Sequence, residues 1–276
     1  MTPAGGADPL QRRALFGSDV TSYDAGRPGY PQRVYEVLAE RASLGPGCKV
    51  VEMGPGTGQA TMELLDRGAS VTAVELSSEL ANRLRAKGEG RRLTVVVGAF
   101  EDVDLDESSS DLVVAATSFH WVPVELGLAR AAQVLRPSGW LALWWNVYGD
   151  PDRPDPFHEA LTPVLDRLAP ELTDSDGAAR GGVGRHPHAL DVRARSSEID
   201  ASGKFGAVYH QTIPWTGRHS PGYLRTLFSS FSPWLALPDD RRRRVLDAVE
   251  ELAHSQFGGM VERPYLTPLY LARRRI

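Results

Sequence analysis

Short apolar runs alternate with segments of helical periodicity over the first half of the chain. The apolar runs predict β-strands over 48–53, 71–76, 93–97, 111–116 and 139–146. The periodic segments predict helices over 31–43, 58–67, 77–87 and 122–136. The strands lack polar alternation, which is typical of strands covered on both faces of a parallel sheet. The pattern therefore predicts a doubly wound α/β fold.

The pattern changes after Gly149. The second half predicts a helix near 157–168, a strand over 207–215, helices near 221–230 and 238–255, and a last strand over 265–272. Residues 173–197 show no periodicity and predict a long loop. In the last strand, Pro268 favours an edge or an irregular position.

These changes in the hydrophobic pattern predict four divisions of the chain. They are an N-terminal cap segment (1–30), a cofactor-binding core (31–149), a cap insertion (150–205), and a C-terminal part that completes the core sheet and carries a helical cap insertion (206–276).

The composition and charge of the chain exclude some covalent and metal cross-links and disfavour some classes of partner. Cys48 is the one cysteine among 276 residues, which excludes an intramolecular disulfide and a Cys-based zinc site. The net charge of −4 provides no overall field that would attract nucleic acid or an anionic membrane. The chain has neither a secretory signal at its start nor an apolar run of about 20 residues, so a cytoplasmic location is expected. Nothing in the sequence indicates the oligomeric state.

A glycine-rich turn follows the first predicted strand. Gly54, Gly56 and Gly58 allow a tight turn and close approach to a ligand, and the next helix presents free amides. Such a loop can be a simple turn. However, Glu75 ends the next strand about 20 residues later, where a carboxylate can accept both ribose hydroxyls. Together the two features predict a nucleoside site.

The glycine spacing argues against a dinucleotide. A dinucleotide turn needs Gly or Ala at its sixth position, and counting from Gly54 that position is Gln59. Glu52, just before the turn, would repel a pyrophosphate but suits the ammonium group of a methionine moiety. NAD and FAD are therefore disfavoured, and a dehydrogenase is the weakest alternative.

Several segments between 48 and 146 resemble, in the right order, motifs of the class I S-adenosylmethionine (SAM) dependent methyltransferases. These are 52–58, Glu75, 97–102, 111–118 and 135–140. Residues 23–31, 119–121 and 265–274 resemble the small-molecule branch that includes trans-aconitate methyltransferase-like proteins. The resemblance implies a Rossmann-like sheet of seven strands with a helical and loop cap. It also implies in-line methyl transfer from SAM to an O, N or C nucleophile of a small molecule, leaving S-adenosylhomocysteine (SAH).

The resemblance also implies roles for individual residues. The implied cofactor-binding residues are Tyr23, Arg27, Glu52, Gly54, Pro55, Gly56, Thr57, Gly58, Glu75, Leu76, Ala99, Phe100, Thr117 and Ser118. The implied substrate pocket is Tyr30, Phe119, Trp121 and Trp145. His120 is the candidate catalytic base, because it lies just beyond strand four, where a doubly wound sheet opens its ligand crevice. Many relatives carry Asp where Ala99 stands, so here the backbone and Phe100 would hold the adenine.

Simpler interpretations stand beside these roles. His120 could be a structural histidine, because a carboxylate, thiolate or free amine acceptor needs no base. Arg27 could form a surface salt bridge. A SAM-binding protein that does not methylate, either cyclase-like or regulatory, is the alternative function. The segment 117–120 lacks the motif that grips a flipped base, so no nucleic-acid partner is expected. No metal is expected either.

Overall fold

The computed structural model describes residues 27–172 and 188–276. The strands are β1 (Lys49–Met53), β2 (Ser70–Glu75), β3 (Leu93–Val97), β4 (Ser110–Ala116), β5 (Leu135–Trp144), β6 (Val147–Tyr148), β7 (Tyr209–His219) and β8 (Val261–Arg273). The helices are α1 (Gln32–Ala42), α2 (Gln59–Asp66), α3 (Ser78–Lys87), α4 (Val124–Val134), α5 (Pro156–Leu168), α6 (Val192–Ala201), α7 (Pro221–Ser229), α8 (Ser232–Leu235) and α9 (Asp239–Phe257). Short 3-10 turns lie at Phe119–Trp121, Pro170–Leu172 and His188–Leu190.

The strands of the described ranges form one sheet in the order β3-β2-β1-β4-β5-β8-β6, with β7 also paired to β8. Strands β1 to β5 are parallel, and β8 is antiparallel to its neighbours. The α/β prediction is confirmed, but the sheet has eight strands rather than seven. The extra strand is the two-residue β6, which is too short to leave a pattern in the sequence.

The strand order reverses between β1 and β4. The chain leaves β1 toward β2 and β3 on one side, then crosses over to β4 on the other. The loops after β1 and β4 therefore diverge and open a crevice at the carboxyl ends of the strands, where doubly wound sheets bind ligands.

Both faces of the sheet are covered. In β4, Leu112 and Val114 belong to a core cluster that includes α1 and α2, whereas Val113 and Ala115 belong to the cluster that includes α4 and α6. This alternation follows from the two-residue period of a strand. It explains why the predicted strands read as continuous apolar runs.

Pro268 lies inside the sheet and not at its edge. It pairs with Thr212 of β7 on one side, and its carbonyl accepts from the Trp145 N–H at 3.3 Å on the other. The nitrogen and carbonyl of one strand residue point to the same side, so the missing N–H faces the break between β5 and β6. Of the two predicted positions for Pro268, an edge or an irregular position in the strand, the structure shows the irregular position.

Part of the predicted loop over 173–197 is helical. Residues 173–187 lie outside the described ranges, but α6 begins at Val192. The Asp191 side chain caps it by accepting from the Ala194 N–H at 2.9 Å, and buried Arg195 pairs with Glu198. A helix held by a cap and an ion pair shows little apolar periodicity, which is why the pattern missed it.

A separate apolar cluster joins four helices outside the sheet core, which we term the helical cap. Helices α5, α7, α8 and α9 pack their buried side chains together with Val261 at the start of β8. Within it, buried Arg263 donates to Asp155 at 2.6 Å, and Asp155 also caps α5 by accepting from the His158 N–H. The described helices include none with the length and apolarity to cross a bilayer.

Candidate functional site

A cavity opens above the carboxyl ends of β1, β2 and β4. It encloses about 1110 Å³ of empty space, part of which is open to solvent. Its lining comes from the turn after β1, the ends of β2 and β4, the segment after β3, and residues 27–30. This is the crevice that the strand order predicts, and its size suits a ligand as large as a nucleoside.

The glycine turn has a backbone that other residues would strain. Gly54, Gly56 and Gly58 have φ of 59°, 58° and 95°. A Cβ on Gly54 would lie 2.8 Å from the Cβ of Ser118, and one on Gly58 would lie 2.6 Å from Leu84 Cδ1. Glycine is therefore required for both conformation and space.

Glu75 is fixed at the end of β2 with its carboxylate toward this turn. One oxygen accepts from the Gly56 N–H at 3.0 Å, and the other accepts from the Ser77 N–H at 2.9 Å. Burial raises the pKa of the Glu75 carboxyl, and these backbone donors partly offset the rise. A carboxylate offers about four lone-pair positions, so the Glu75 carboxylate keeps acceptor capacity for a ligand hydroxyl.

Glu52 is fully buried beneath the turn. Its Oε2 accepts from the Thr61 hydroxyl at 2.6 Å, and its Oε1 has no hydrogen-bond partner among the described residues. Burial raises the pKa of Glu52 to about 7, with nearby Glu75 adding to the rise. An unsatisfied buried carboxyl oxygen that lines a cavity is a site for a donor, and a cationic donor suits it best.

Thr117 holds the segment that covers the cavity. It has a φ of 56°, an unfavourable conformation for a β-branched residue. Its Oγ1 accepts from the Tyr30 hydroxyl at 3.0 Å and from the Asn146 N–H at 3.3 Å. The Asn146 amide in turn donates to the Gly29 carbonyl at 2.9 Å. These contacts tie residues 29 and 30 to the ends of β4 and β5.

Arg27 and Tyr148 form the cap side of the cavity. Arg27 Nη1 donates to the Tyr148 hydroxyl at 3.3 Å, and Nη2 donates to the Ser230 carbonyl at 3.3 Å. The guanidinium also lies over the Phe231 ring, 5.3 Å from its centroid. The cavity therefore meets the helical cap through a cation and aromatic rings.

His120 lies beside the cavity but does not line it. Its Nδ1 accepts from the Trp145 indole N–H at 3.3 Å, so a neutral ring carries its proton on Nε2. Partial desolvation of the ring by the surrounding protein and the positive charge of Arg27 lower the pKa of His120. The residue is exposed, so solvent screens both effects.

The structure brings together most of the predicted site residues. Those that line the cavity are Arg27, Tyr30, Glu52, Gly54, Pro55, Gly56, Glu75, Leu76, Ala99, Phe100, Thr117, Ser118 and Trp121. Those that lie outside its lining are Thr57, Gly58, Phe119, His120 and Trp145. Phe119 and Trp145 are buried in the sheet core, and Tyr23 falls outside the described residues. The functional roles of all these residues stay predictions.

The cavity lining also includes residues that are not among the predicted site residues. They are Pro28, Met53, Gln59, Ala60, Val74, Leu80, Gly98, Glu101, Ala116, Val122, Asn146 and Tyr148. Asn146 and Tyr148 follow β5, so the rule that ligands meet the carboxyl ends of strands could have found them. The described ranges contain no group of three or more His, Cys, Asp or Glu side chains that could hold a metal ion.

The fold and the cavity define a doubly wound α/β domain of the kind that binds nucleosides, and comparison with known proteins identifies the family. Residues 51–143 match the model described as a methyltransferase domain. An uncharacterized methyltransferase of Mycobacterium tuberculosis is 31% identical over 237 residues, which is 86% of this chain and 84% of the relative. One of Schizosaccharomyces pombe is 26% identical over 86% of this chain and 85% of its own length. The chain belongs to the SAM-dependent methyltransferase family.

Solved structures show the same fold. The phosphoethanolamine N-methyltransferase 2 of Haemonchus contortus, in complex with SAM, matches with a TM-score of 0.56 and 14% identity over 100% of this chain and 62% of that one. A protein of Anaeromyxobacter dehalogenans assigned as a type II methyltransferase matches with a TM-score of 0.57 and 22% identity over 90% and 96%. The Rossmann-like prediction is thereby confirmed.

Proposed function

We propose that this chain transfers the methyl group of SAM to a small-molecule acceptor inside the described cavity. The observation that carries the proposal is the convergence of the positive-φ glycine turn, Glu75 and the unsatisfied oxygen of Glu52 on that cavity. The turn suits the methionine part of one ligand, Glu75 suits its ribose, and Glu52 suits its ammonium group. The family assignment supports the same reaction class.

The lining residues fit SAM part by part. The free lone pairs of Glu75 would accept the two ribose hydroxyls, and the Glu52 Oε1 would accept from the methionine ammonium. Ala99 and buried Phe100, after β3, would bound the adenine. The turn at Gly54 and Gly56 would let the backbone approach the methionine part closely.

SAM supplies an electrophilic methyl group on a sulfonium, so an acceptor lone pair forms the new bond while the C–S electron pair stays on sulfur. The protein's contribution is to hold the acceptor in line with that bond and to exclude water. Tyr30, Thr117 and Asn146 keep the segment at residue 29 over the cavity. We assign His120 a positioning role, since its Nδ1 is engaged by Trp145.

The cap supports a small acceptor. Arg27, Pro28, Tyr30 and Tyr148 line the side of the cavity beyond the sheet. Arg27 and Tyr148 in turn contact Phe231, which belongs to the cluster of α5, α7, α8 and α9. The predicted divisions at 1–30, 31–149, 150–205 and 206–276 belong to this proposal, with the first, the third and the helical insertion of the fourth as cap. The H. contortus enzyme, which was also solved with SAH and phosphomonomethylethanolamine, has the same fold. A cytoplasmic location and the absence of a nucleic-acid partner stay predictions.

Calorimetric titration of the chain with SAM, SAH and NADH tests the proposal. SAM and SAH should bind and NADH should not. Gly56→Asp should abolish binding, because it places a carboxylate against Glu75 at a residue with positive φ. Gly45→Asp, at a glycine with open space around it and outside the cavity, is the control. NADH binding in place of SAH would disprove the proposal.

A further inference from the structure

A relay of hydrogen bonds joins the wall of the cavity to strands β7 and β8. Asn146 lies in the break between β5 and β6, and its side-chain amide donates to the carbonyls of Gly29 at 2.9 Å and Pro28 at 3.4 Å. Its Oδ1 accepts from the Thr267 hydroxyl at 2.8 Å. That hydroxyl in turn accepts from the Trp215 indole N–H at 2.9 Å. Thr267 and Trp215 lie outside the cavity lining, so the relay extends from the cavity into the sheet.

The chemistry of its two ends fixes the direction of every bond in this relay. An indole N–H can only donate, and the carbonyls of Pro28 and Gly29 can only accept. The Thr267 hydroxyl therefore accepts from Trp215 and gives its one proton to Asn146. The Asn146 amide must then present Oδ1 to Thr267 and Nδ2 to the two carbonyls. A flipped amide would place its oxygen against two carbonyl oxygens, which have no proton to offer it.

The register of β7 and β8 brings the first two members of the relay together. Thr267 is opposite Ile213 and Trp215 is opposite Tyr265, so Trp215 and Thr267 are diagonal neighbours on one face of the sheet. The Trp215 ring stacks on Tyr265 at 4.5 Å between ring centroids, which holds the indole in place. Thr267 is 0% exposed, so water does not compete for its hydroxyl.

We propose that Thr267 and Trp215 are positioning residues for methyl transfer, acting through the Asn146 amide on the wall of the cavity. They hold residues 28–29 over the cavity. The proposal rests on the proposed function, because it takes this cavity as the SAM site. Asn146 itself lines the cavity, and its backbone N–H donates to Thr117 Oγ1 at 3.3 Å. Loss of the relay would therefore loosen two parts of the wall, and SAH would bind a less preorganised site.

Calorimetric titration of the full chain with SAH tests the proposal. Thr267→Val keeps the shape of the side chain but removes the hydroxyl. It should weaken SAH binding about fivefold or more, because the Asn146 oxygen loses its donor. Thr267→Ser keeps the hydroxyl and should restore the affinity to within about twofold of the natural chain. Thr212→Val, which removes a hydroxyl that contacts His210 on β7, is the control and should leave SAH affinity unchanged.

Two further measurements separate positioning from support of the fold. Asn146→Ala removes the amide through which Thr267 acts, so adding Thr267→Val to it should cause no further loss of SAH affinity. Trp215→Phe keeps an aromatic ring on Tyr265 but removes the N–H, and should weaken SAH binding about twofold or more. In the ligand-free chain, the nuclear magnetic resonance signals of the Asn146 side-chain amide protons should move upfield in Thr267→Val and return in Thr267→Ser.

Three results would overturn the proposal. One is an unchanged SAH affinity in both Thr267→Val and Trp215→Phe. Another is a Thr267→Val loss of affinity that adds in full to that of Asn146→Ala, which would leave Thr267 a structural role alone. The third is a set of Asn146 amide signals that do not respond to Thr267→Val. Failure of the natural chain to bind SAH would instead contradict the proposed function, and the amide signals would still decide whether the relay exists.

Discussion

Replacing Glu52 by glutamine tests whether the buried carboxyl beneath the glycine turn destabilises the fold when it is ionised. Burial raises the pKa of Glu52 to about 7 in the folded chain, above its ordinary 4.5. Below pH 4.5 both folded and unfolded chains hold the proton, and the group does not oppose folding. As the pH rises from 4.5 to 7, the unfolded chain ionises first and stability is lost. Above pH 7 the loss is constant.

The size of the effect follows from the two pKa values. Linkage gives a loss of about 1 kcal/mol at about pH 5 and about 3 kcal/mol at about pH 8 for a single such group. The glutamine side chain of the variant does not titrate. The stability of the Glu52→Gln variant relative to the natural chain should therefore rise by about 2 kcal/mol between about pH 5 and about pH 8.

Urea unfolding at several pH values measures this difference. Exposed Glu89→Gln makes the same chemical change at the surface and should stay within about 0.5 kcal/mol of the natural chain throughout. SAH affinity at about pH 8 should fall in the Glu52→Gln variant, because the ammonium loses its ionised partner. A Glu52→Gln stability difference that stays flat over the same pH range would refute the reasoning.

Three further substitutions probe the cap, the turn and the histidine. Asp155→Asn leaves Arg263 buried without a counter-charge and should cost about 3–5 kcal/mol in urea unfolding, and adding Arg263→Met should recover part of that loss. A double variant no more stable than the single one would contradict the ion-pair account. Gly54→Ala should weaken SAH binding in calorimetry, since its Cβ meets Ser118, whereas Gly47→Ala, also at positive φ but in open space, should not. His120→Ala should lower kcat less than about tenfold in a radiolabelled methyl-transfer assay, because His120 does not line the cavity. A fall in kcat of about 10² to 10⁴ would instead indicate that His120 is the catalytic base.

The sequence predicted the parts of the fold whose signal is local. The apolar runs of β1 to β5 and the glycine turn are visible because a buried parallel strand needs apolar side chains on both faces. The two-residue β6 and helix α6 leave no comparable trace. α6 depends on the Asp191 cap and the Arg195–Glu198 pair, which are recognised only when the fold is known.

The acidic side of the cavity was more predictable than its cap side. Glu52 and Glu75 lie at fixed spacing from the glycine turn, so one motif locates both. Arg27 and Tyr148 meet across 121 positions of the chain, and no spacing rule brings such residues together. Trp145 and Phe119 show the same limit, because strand position alone did not reveal that they turn into the core.

The structure of the full chain in complex with SAH tests the central claim most directly. Both ribose hydroxyls should lie on the Glu75 carboxylate and the ammonium on Glu52, with open space beyond the sulfur bounded by Arg27 and Tyr148. SAH bound elsewhere, or bound in this cavity with its ribose away from Glu75, would contradict it.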